Sequence, residues 1–349
     1  LDDAHRLGLT VSLCLWLEHE RHGFDYDDEA AVAAQFEAMK AEVLKYKDHP
    51  ALLTWILGNE LNFDFTNPRV FDAVNDLARF IDEVDGKHPT TTALTGFSPE
   101  TVALVHDRAP DLDFLSFQMY GDLVNLPRYL RESGYERPIF ITEWGAIGHW
   151  EVHRTPWGAP VEPDSTAKAA NYLKSHRQVI EPYPRQVLGS YVFLWGQKQE
   201  KTPTWYGMFT PGGAKTETID VMHRIWTGEW PENRAPTVVS LSLDGRDAYQ
   251  GVRLSAGRRY PAVFRVEDPD GDEPRYRWEI KPESGAQGVG GDREADIPSL
   301  PGLIDGGEGP AIDLTAPAGS GAYRLFVYAY DGAGSAAHAN IPFYVEQEF

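Results

Sequence analysis

Two apolar runs in this chain each end in a glutamate. "ALLTWIL" (51–57) leads into Gly58-Asn59-Glu60, and "PIFIT" (138–142) leads into Glu143-Trp144-Gly145. Glycine, asparagine and a carboxylate are poor strand formers, so a charge closing a buried run asks for a reason other than packing. Two carboxylates facing each other across a cleft can perform glycoside hydrolysis. One, kept protonated near neutral pH, delivers its proton to the leaving oxygen; the other, ionised, meets the oxocarbenium-like anomeric carbon. Oxygens of Glu60 and Glu143 about 5 to 5.5 Å apart would suit attack by one of them on that carbon. Asn59, beside Glu60, is of a type to hydrogen-bond the hydroxyl next to the anomeric carbon. Either glutamate alone is weak evidence, because a surface Glu at a loop start or a helix-cap partner is the competing reading; the pair is the specific signal.

Aromatic residues suit the same chemistry. The chain is 12% aromatic with 10 Trp, and Trp16, Trp55, Trp144, Trp150, Trp195 and Trp205 fall near the ends of apolar runs. Some of them pack a core. Others, with Trp144, Trp150, Trp195 and Trp205 as candidates, offer flat faces on which sugar rings stack. "WLEHERHGFDY" (16–26) adds Glu18, His19, Glu20 and His22; His19, nearest the apolar run, is a candidate substrate contact. A metal site is the lesser reading, because no third cluster of ligands stands near in sequence. "AIGHWEVHRTPW" (146–157), with His149 and Trp150, reads as a lid or a sugar subsite, or as an aromatic loop anchor. In "GQKQEKTPTWYG" (196–207), Gln197, Lys198 and Trp205 are possible cleft residues.

The elements that must position these side chains alternate along the chain. Apolar runs at 11–17, 51–57, 89–97, 112–120, 138–145 and 187–196 read as strands. Helical spacing of apolar residues marks 29–47, 70–84, 100–105, 126–134, 166–180 and 216–228. The first of these helices starts at an Asp27 or Asp28 cap, and Asp48-His49-Pro50 stops it. Six βα units in a row predict a parallel sheet with covering helices. The expected fold is α/β, a (β/α)8-type TIM barrel that is incomplete at six units, because chemistry-type residues recur at strand C-terminal ends. A doubly wound sheet is the alternative, and no Gly-rich phosphate loop follows any strand to support it. After Trp230 the helical period disappears. "PENRAPT" (231–237) reads as a linker. "YPAVFRVED", "PRYRWEI", "AYRLFVYAYDG" and "ANIPFYVEQ" alternate apolar and polar, as in an immunoglobulin-like β-sandwich. The expected domains are a barrel over 1–230 and a sandwich over 238–349. Asp268, Asp270 and Asp272 in "EDPDGDEP" partly match a calcium loop but lack its terminal Glu, so a turn is the better reading.

Composition removes several classes of partner. A formal net charge of −21 repels nucleic acid and anionic membranes. No apolar run is long enough to span a bilayer. The lone cysteine, Cys14, sits in an apolar run and reads as a buried, inert thiol. The opening "LDDAHRLGL" reads as the end of a helix, without initiator Met or signal peptide. Compartment is not legible from it, and polysaccharide chemistry would favour an extracellular or periplasmic setting.

"HPALLTWILGNE" and "PIFITEWG" together resemble the retaining clan A glycoside hydrolases, and are most similar to the catalytic barrel of glycoside hydrolase family two. There a His-Pro, an apolar strand and Gly-Asn-Glu occur in that order on strand four, and a Glu ends strand seven. The resemblance spans roughly residues 5 to 228. It implies that Glu60 is the acid/base, Glu143 the nucleophile and Asn59 a sugar ligand. It also implies that Tyr120, ending "SFQMY", orients Glu143 by hydrogen bond, and that Trp195, ending "YVFLWG", floors the first subsite. No cofactor and no metal follow from it. The sequence departs from the family in having no counterpart of strands one and two, of the strand-two basic residue, or of β-sandwich domains ahead of the barrel. Open parallel edges need cover: either an upstream fragment supplies the missing strands or a second copy covers the gap, and a homo-oligomer closing it is expected. The expected activity is retaining hydrolysis of a β-linked oligo- or polysaccharide, a β-glucan first. Transglycosylation by the same residues is one alternative; a non-catalytic carbohydrate-binding or scaffold protein built on such a barrel is the other.

Overall fold

Strand follows helix without exception through the N-terminal part of the computed structural model, which describes residues 1–286, 288 and 291–347. After a short helix α1 (Asp2–Arg6) come β1 (Val11–Leu15), α2 (Glu29–Tyr46), β2 (Leu52–Asn59), α3 (Arg69–Val84) and β3 (Thr90–Thr95). Then come α4 (Pro99–Arg108), β4 (Leu115–Gln118), α5 (Leu126–Ser133), β5 (Ile139–Gly145), α6 (Ser165–Ser175), β6 (Val187–Phe193) and α7 (Glu217–Thr227). Local chemistry explains the boundaries. The Asp28 carboxylate accepts from the amides of Ala30 and Ala31 at 3.0 and 3.1 Å. At α4, Ser98 caps Thr101 at 3.3 Å and Pro99 follows it, where a missing N–H costs nothing. Helix α3 buries Val70, Phe71, Val74, Leu77, Ala78 and Ile81 on one face.

The six strands form one sheet in the order β1-β2-β3-β4-β5-β6, and the pairs from β1 to β5 run parallel. A doubly wound sheet reverses its order at a switch point; this one never does, which is the order of a (β/α) barrel. Strand β4 is buried throughout and β2 nearly so. Buried hydroxyls on β3 are satisfied: Thr92 donates to the Leu57 carbonyl at 2.7 Å, and Thr91 pairs with Ser116 at 2.8 Å. The outer strands differ. Only Leu15 is buried along β1, and only Val187 along β6. The Ser12 and Tyr191 hydroxyls meet at 2.5 Å, so the sheet curls until its first and last strands touch through side chains. Cys14 is exposed rather than buried, because an outer strand lacks the neighbour that would cover it.

Packing divides the chain into two compact units, Leu1–Trp144 with Val179–Tyr191, and Gly145–Gln178 with Val192–Phe349. The second contains two four-stranded sheets. One has the order β10 (Arg275–Pro282), β13 (Gly321–Tyr330), β14 (Ala336–Glu346), β8 (Val252–Ser255); the other has β11 (Ile304–Asp305), β12 (Ala311–Thr315), β9 (Arg259–Glu267), β7 (Thr237–Leu243). All pairs are antiparallel except β14 with β8. Phe264, Trp278, Leu314, Val327 and Phe343 belong to one shared core. The segment 231–237 is tied down. The Ala235 amide donates to Asp220 at 2.7 Å, and Asn233 donates to Asp331 at 2.8 Å. Asp268 turns its own loop, accepting from the amides of Asp270 and Asp272 at 2.9 and 3.2 Å.

A buried polar network underlies the same unit. Glu162 accepts from Thr202, Thr204 and Asn340 at 2.6, 2.9 and 2.7 Å and pairs with Lys168. Arg324 bridges Asn340 and Glu283 at 2.7 Å each. Burial works to raise the Glu162 pKa, but the Lys168 ammonium and the donors around the carboxylate bring it down to about 2.

Candidate active site at the strand ends

The glutamate ending the first apolar run is placed by a deliberate break in its strand. Pairing between β2 and β3 slips between Ile56 and Asn59. Gly58 takes φ +77°, a conformation that disfavours any side chain. A Cβ there would also stand 2.2 Å from the Leu61 side chain. Glu60 itself has φ +52°, strained for a residue with a side chain, and its amide is anchored on the Ala93 carbonyl at 2.8 Å. Asn62 clamps the following turn, exchanging bonds of 3.0 and 2.9 Å with the backbone of Thr95.

The second glutamate is placed by β4. Gln118 pairs with Glu143 after a register slip at Phe117, and the Met119 amide donates to the Glu143 carbonyl at 2.9 Å. Tyr120 then donates its hydroxyl to Glu143 Oε2 at 2.5 Å. Two residues earlier, Gln118 Nε2 donates to Asn59 Oδ1 at 2.6 Å. The end of β4 therefore holds Asn59 on β2 with one side chain and Glu143 on β5 with another. Because β2, β4 and β5 are parallel, Asn59, Glu60, Tyr120 and Glu143 share the C-terminal end of the sheet, where barrels carry their chemistry.

His19 lies buried just beyond β1, its ring 5.4 Å from Trp16 and 5.3 Å from His22. Its loop is structural in part: Glu20 accepts the amides of Thr66 and Asn67 at 2.7 and 2.9 Å, which hold its carboxyl below the usual range. Among the described residues no group of three or more His, Cys, Asp or Glu is arranged to hold a metal ion.

The tryptophans separate. Trp144 and Trp205 are 0% exposed, so neither presents a face on which a sugar could stack; the platform reading is corrected for both. Trp205 instead supports its loop, donating from Nε1 to the Ile147 carbonyl at 2.9 Å. Trp150 is 53% exposed and Trp195 57% exposed. His149 sits edge-on between Trp150 and Trp205, at 4.9 and 5.9 Å. Its Nε2 is 3.6 Å from Glu200, which Lys198 pairs at 2.8 Å. Burial alone would raise Glu200, but the hydrogen bonds from His149 and Lys198 and the Lys198 charge hold it below the usual range. Gln197 is occupied within its loop by the Pro203 carbonyl at 2.9 Å. Trp195 packs beside Phe209 and Trp226, with ring centroids at 5.3 and 6.0 Å.

Sequence reading passed over Gln118, Asn62, Glu200 and Trp226. Gln118 carried a usable signal, since it lies two residues before Tyr120 and alternation puts both on one face. Asn62 and Trp226 carried none, because their partners are distant in the chain; Glu200 stands two residues from its partner Lys198, which alternation could have suggested.

Comparison with known proteins bears on this geometry. Residues 6–153 match the family described as "Glycosyl hydrolases family 2, TIM barrel domain". A curated relative, mannan endo-1,4-beta-mannosidase 2 of Arabidopsis thaliana, is 25% identical over 29% of this chain and 27% of its own length. Among solved structures, beta-glucuronidase of Bacteroides uniformis aligns with 96% of this chain and 38% of its own, at TM-score 0.43 and 13% identity. Beta-galactosidase of the psychrophilic Marinomonas ef1 aligns with 64% and 50%, at TM-score 0.46 and 15% identity. The chain thus spans about a quarter to a half of these proteins, and structural likeness at such scores carries no functional argument. The sequence match over 6–153 contains both the Gly-Asn-Glu bulge and the Glu143 strand: this stretch matches the TIM-barrel domain of the glycosyl hydrolases of family 2.

Proposed function

We propose that the chain is a retaining β-glycosidase acting on a β-linked glucan or related oligosaccharide. The observation that carries the reading is the Tyr120 hydroxyl held 2.5 Å from Glu143 Oε2, with Asn59 and Glu60 at the same end of a parallel sheet. A donor so placed fixes the orientation of the carboxylate. Glu143 attacks the anomeric carbon; the bond to the leaving oxygen breaks, and Glu60 gives that oxygen its proton. Glu60 then takes a proton from water, whose oxygen bonds the anomeric carbon as the Glu143 ester leaves. A sugar hydroxyl replacing that water gives transglycosylation by the same residues. Asn59, His19, Trp150 and Trp195 are the proposed sugar contacts.

The proposal extends to the whole chain: a barrel domain over 1–230, a short connection over 231–237, an immunoglobulin-like sandwich over 238–349, and a homo-oligomer that covers the outer strands. The test is turnover of aryl β-glycosides and a panel of β-glucans, mannans and galactans, with the first-formed anomer read by NMR. Glu143→Ala and Glu60→Ala are expected to lose turnover by at least about a thousandfold while still binding oligosaccharide. Inverted product, or activity surviving in Glu143→Ala, refutes the mechanism. A wild type inert on the whole panel but retained on a polysaccharide gel supports a binding protein instead.

A further inference from the structure

Gln118, which none of the sugar contacts above includes, sits behind Asn59. Its Nε2 donates to Asn59 Oδ1 at 2.6 Å, and that bond decides which way round the Asn59 amide lies. The oxygen is engaged by Gln118, so the NH2 end, a pure donor, is the end turned from it. Gln118 is 4% exposed, and its own Oε1 is a buried acceptor without a partner among the described residues. Such an orphan destabilises a fold; an apolar side chain of the same length would remove that cost. Its presence is accounted for if the donor beside it is what the site needs.

We propose that Gln118 is a positioning residue for the reaction. It locks the Asn59 amide so that Nδ2 donates to the oxygen of the sugar's 2-hydroxyl. That hydroxyl keeps its own hydrogen free to bond the nucleophilic carboxylate, a contact that strengthens as charge develops at the anomeric carbon. Gln118 does this without touching the sugar. Dependence on the 2-hydroxyl is then a property set by strand β4. The inference rests on the glycosidase reading given above.

Two variants separate this role from packing. Gln118→Met keeps the length and removes both the bond and the orphan acceptor, so it is expected to fold at least as well as wild type. Gln118→Glu keeps the shape but presents only acceptors, which turns the Asn59 amide over. The measurement is kcat/KM on whichever of 4-nitrophenyl β-glucoside, β-galactoside or β-mannoside the wild type hydrolyses best, and on its 2-deoxy counterpart. The wild-type preference for the 2-hydroxy substrate is expected to fall about tenfold in both variants, the equivalent of one lost hydrogen bond. The 2-deoxy rate should change by less than about threefold. Asn59→Ala combined with Gln118→Met should be no worse than Asn59→Ala alone, because the two act as one unit. An unchanged preference in a folded Gln118→Met overturns the role, and so does an equal loss on both substrates, the signature of general damage. If Gln118→Met fails to fold, Gln118→Glu decides by the same ratio. A wild type that hydrolyses neither these three glycosides nor any polysaccharide of the panel above overturns the glycosidase reading itself, before any variant is compared.

Discussion

Gly58 shows how tightly the chemistry is tied to backbone shape. Its φ of +77° and the 2.2 Å approach a Cβ would make to Leu61 are two separate reasons for glycine. Gly58→Ala is expected to lose roughly 2–4 kcal/mol, the sum of left-handed strain and overpacking, measured by urea unfolding. Activity should fall further than stability, since the bulge also aims Glu60. Tyr120→Phe tests the other carboxylate. Losing one hydrogen bond to a charged group is expected to lower kcat about 10- to 100-fold with little change in KM, read by steady-state kinetics on an aryl β-glycoside. A KM effect alone would place Tyr120 in binding instead. That Glu60 and Glu143 stand at strand ends was legible in sequence, because each interrupts an apolar run. The faces of Trp144 and Trp205 were not, because closeness to a strand end does not tell which side of the wall a ring occupies. Gln118 was hidden for a related reason: its partner is on a strand that is 59 positions away in sequence.

At the scale of elements, every strand and helix of the alternating part was legible, to within a few residues, because each carries its own period and its own stop. The helix over 166–180 is the partial exception: α6 ends at Ser175 and continues as a wider turn over His176–Ile180. In the C-terminal part β9, β10, β13 and β14 were readable, while β7, β8, β11 and β12 were not. Those four are short or only half-buried, so alternation has too few residues to register. Loops carry function without periodicity and are the least legible. The 146–164 loop illustrates this: His149 and Glu200 brace the exposed Trp150 from below. Trp150→Ala is expected to raise KM for long oligosaccharides about 5- to 30-fold, the loss of one stacking face, and to leave an aryl monoglycoside nearly unaffected. An equal effect on both would make Trp150 a loop anchor only.

At the scale of the whole molecule, two buried groups set a response to acid. Burial first, and the Lys168 charge next, depress the His338 pKa to about 3, whereas an unfolded histidine titrates near 6.5. As pH falls below about 6.5 the unfolded chain takes up this proton and the folded chain does not, so stability is lost from there toward pH 3. Glu162, folded at about 2 against an ordinary 4.5, gives stability present above 4.5 and lost as pH falls toward 2. Denaturant midpoints should therefore decline steadily from pH 6.5 downward, and His338→Phe should flatten the upper part of that decline. A midpoint constant between pH 7 and 4 contradicts the sign.

The chemistry of Glu162 has an evolutionary reading as well. The carboxylate belongs to the loop after β5, and among its partners is Asn340, deep in a strand near the C-terminus. A descendant that exchanged its tail for one from another lineage would strand an ion in a dry interior, a penalty of several kcal/mol. Such tails are not interchangeable parts. Loop and tail are bound to change together or not at all, and a chain shortened at residue 230 should misfold rather than survive as a smaller protein.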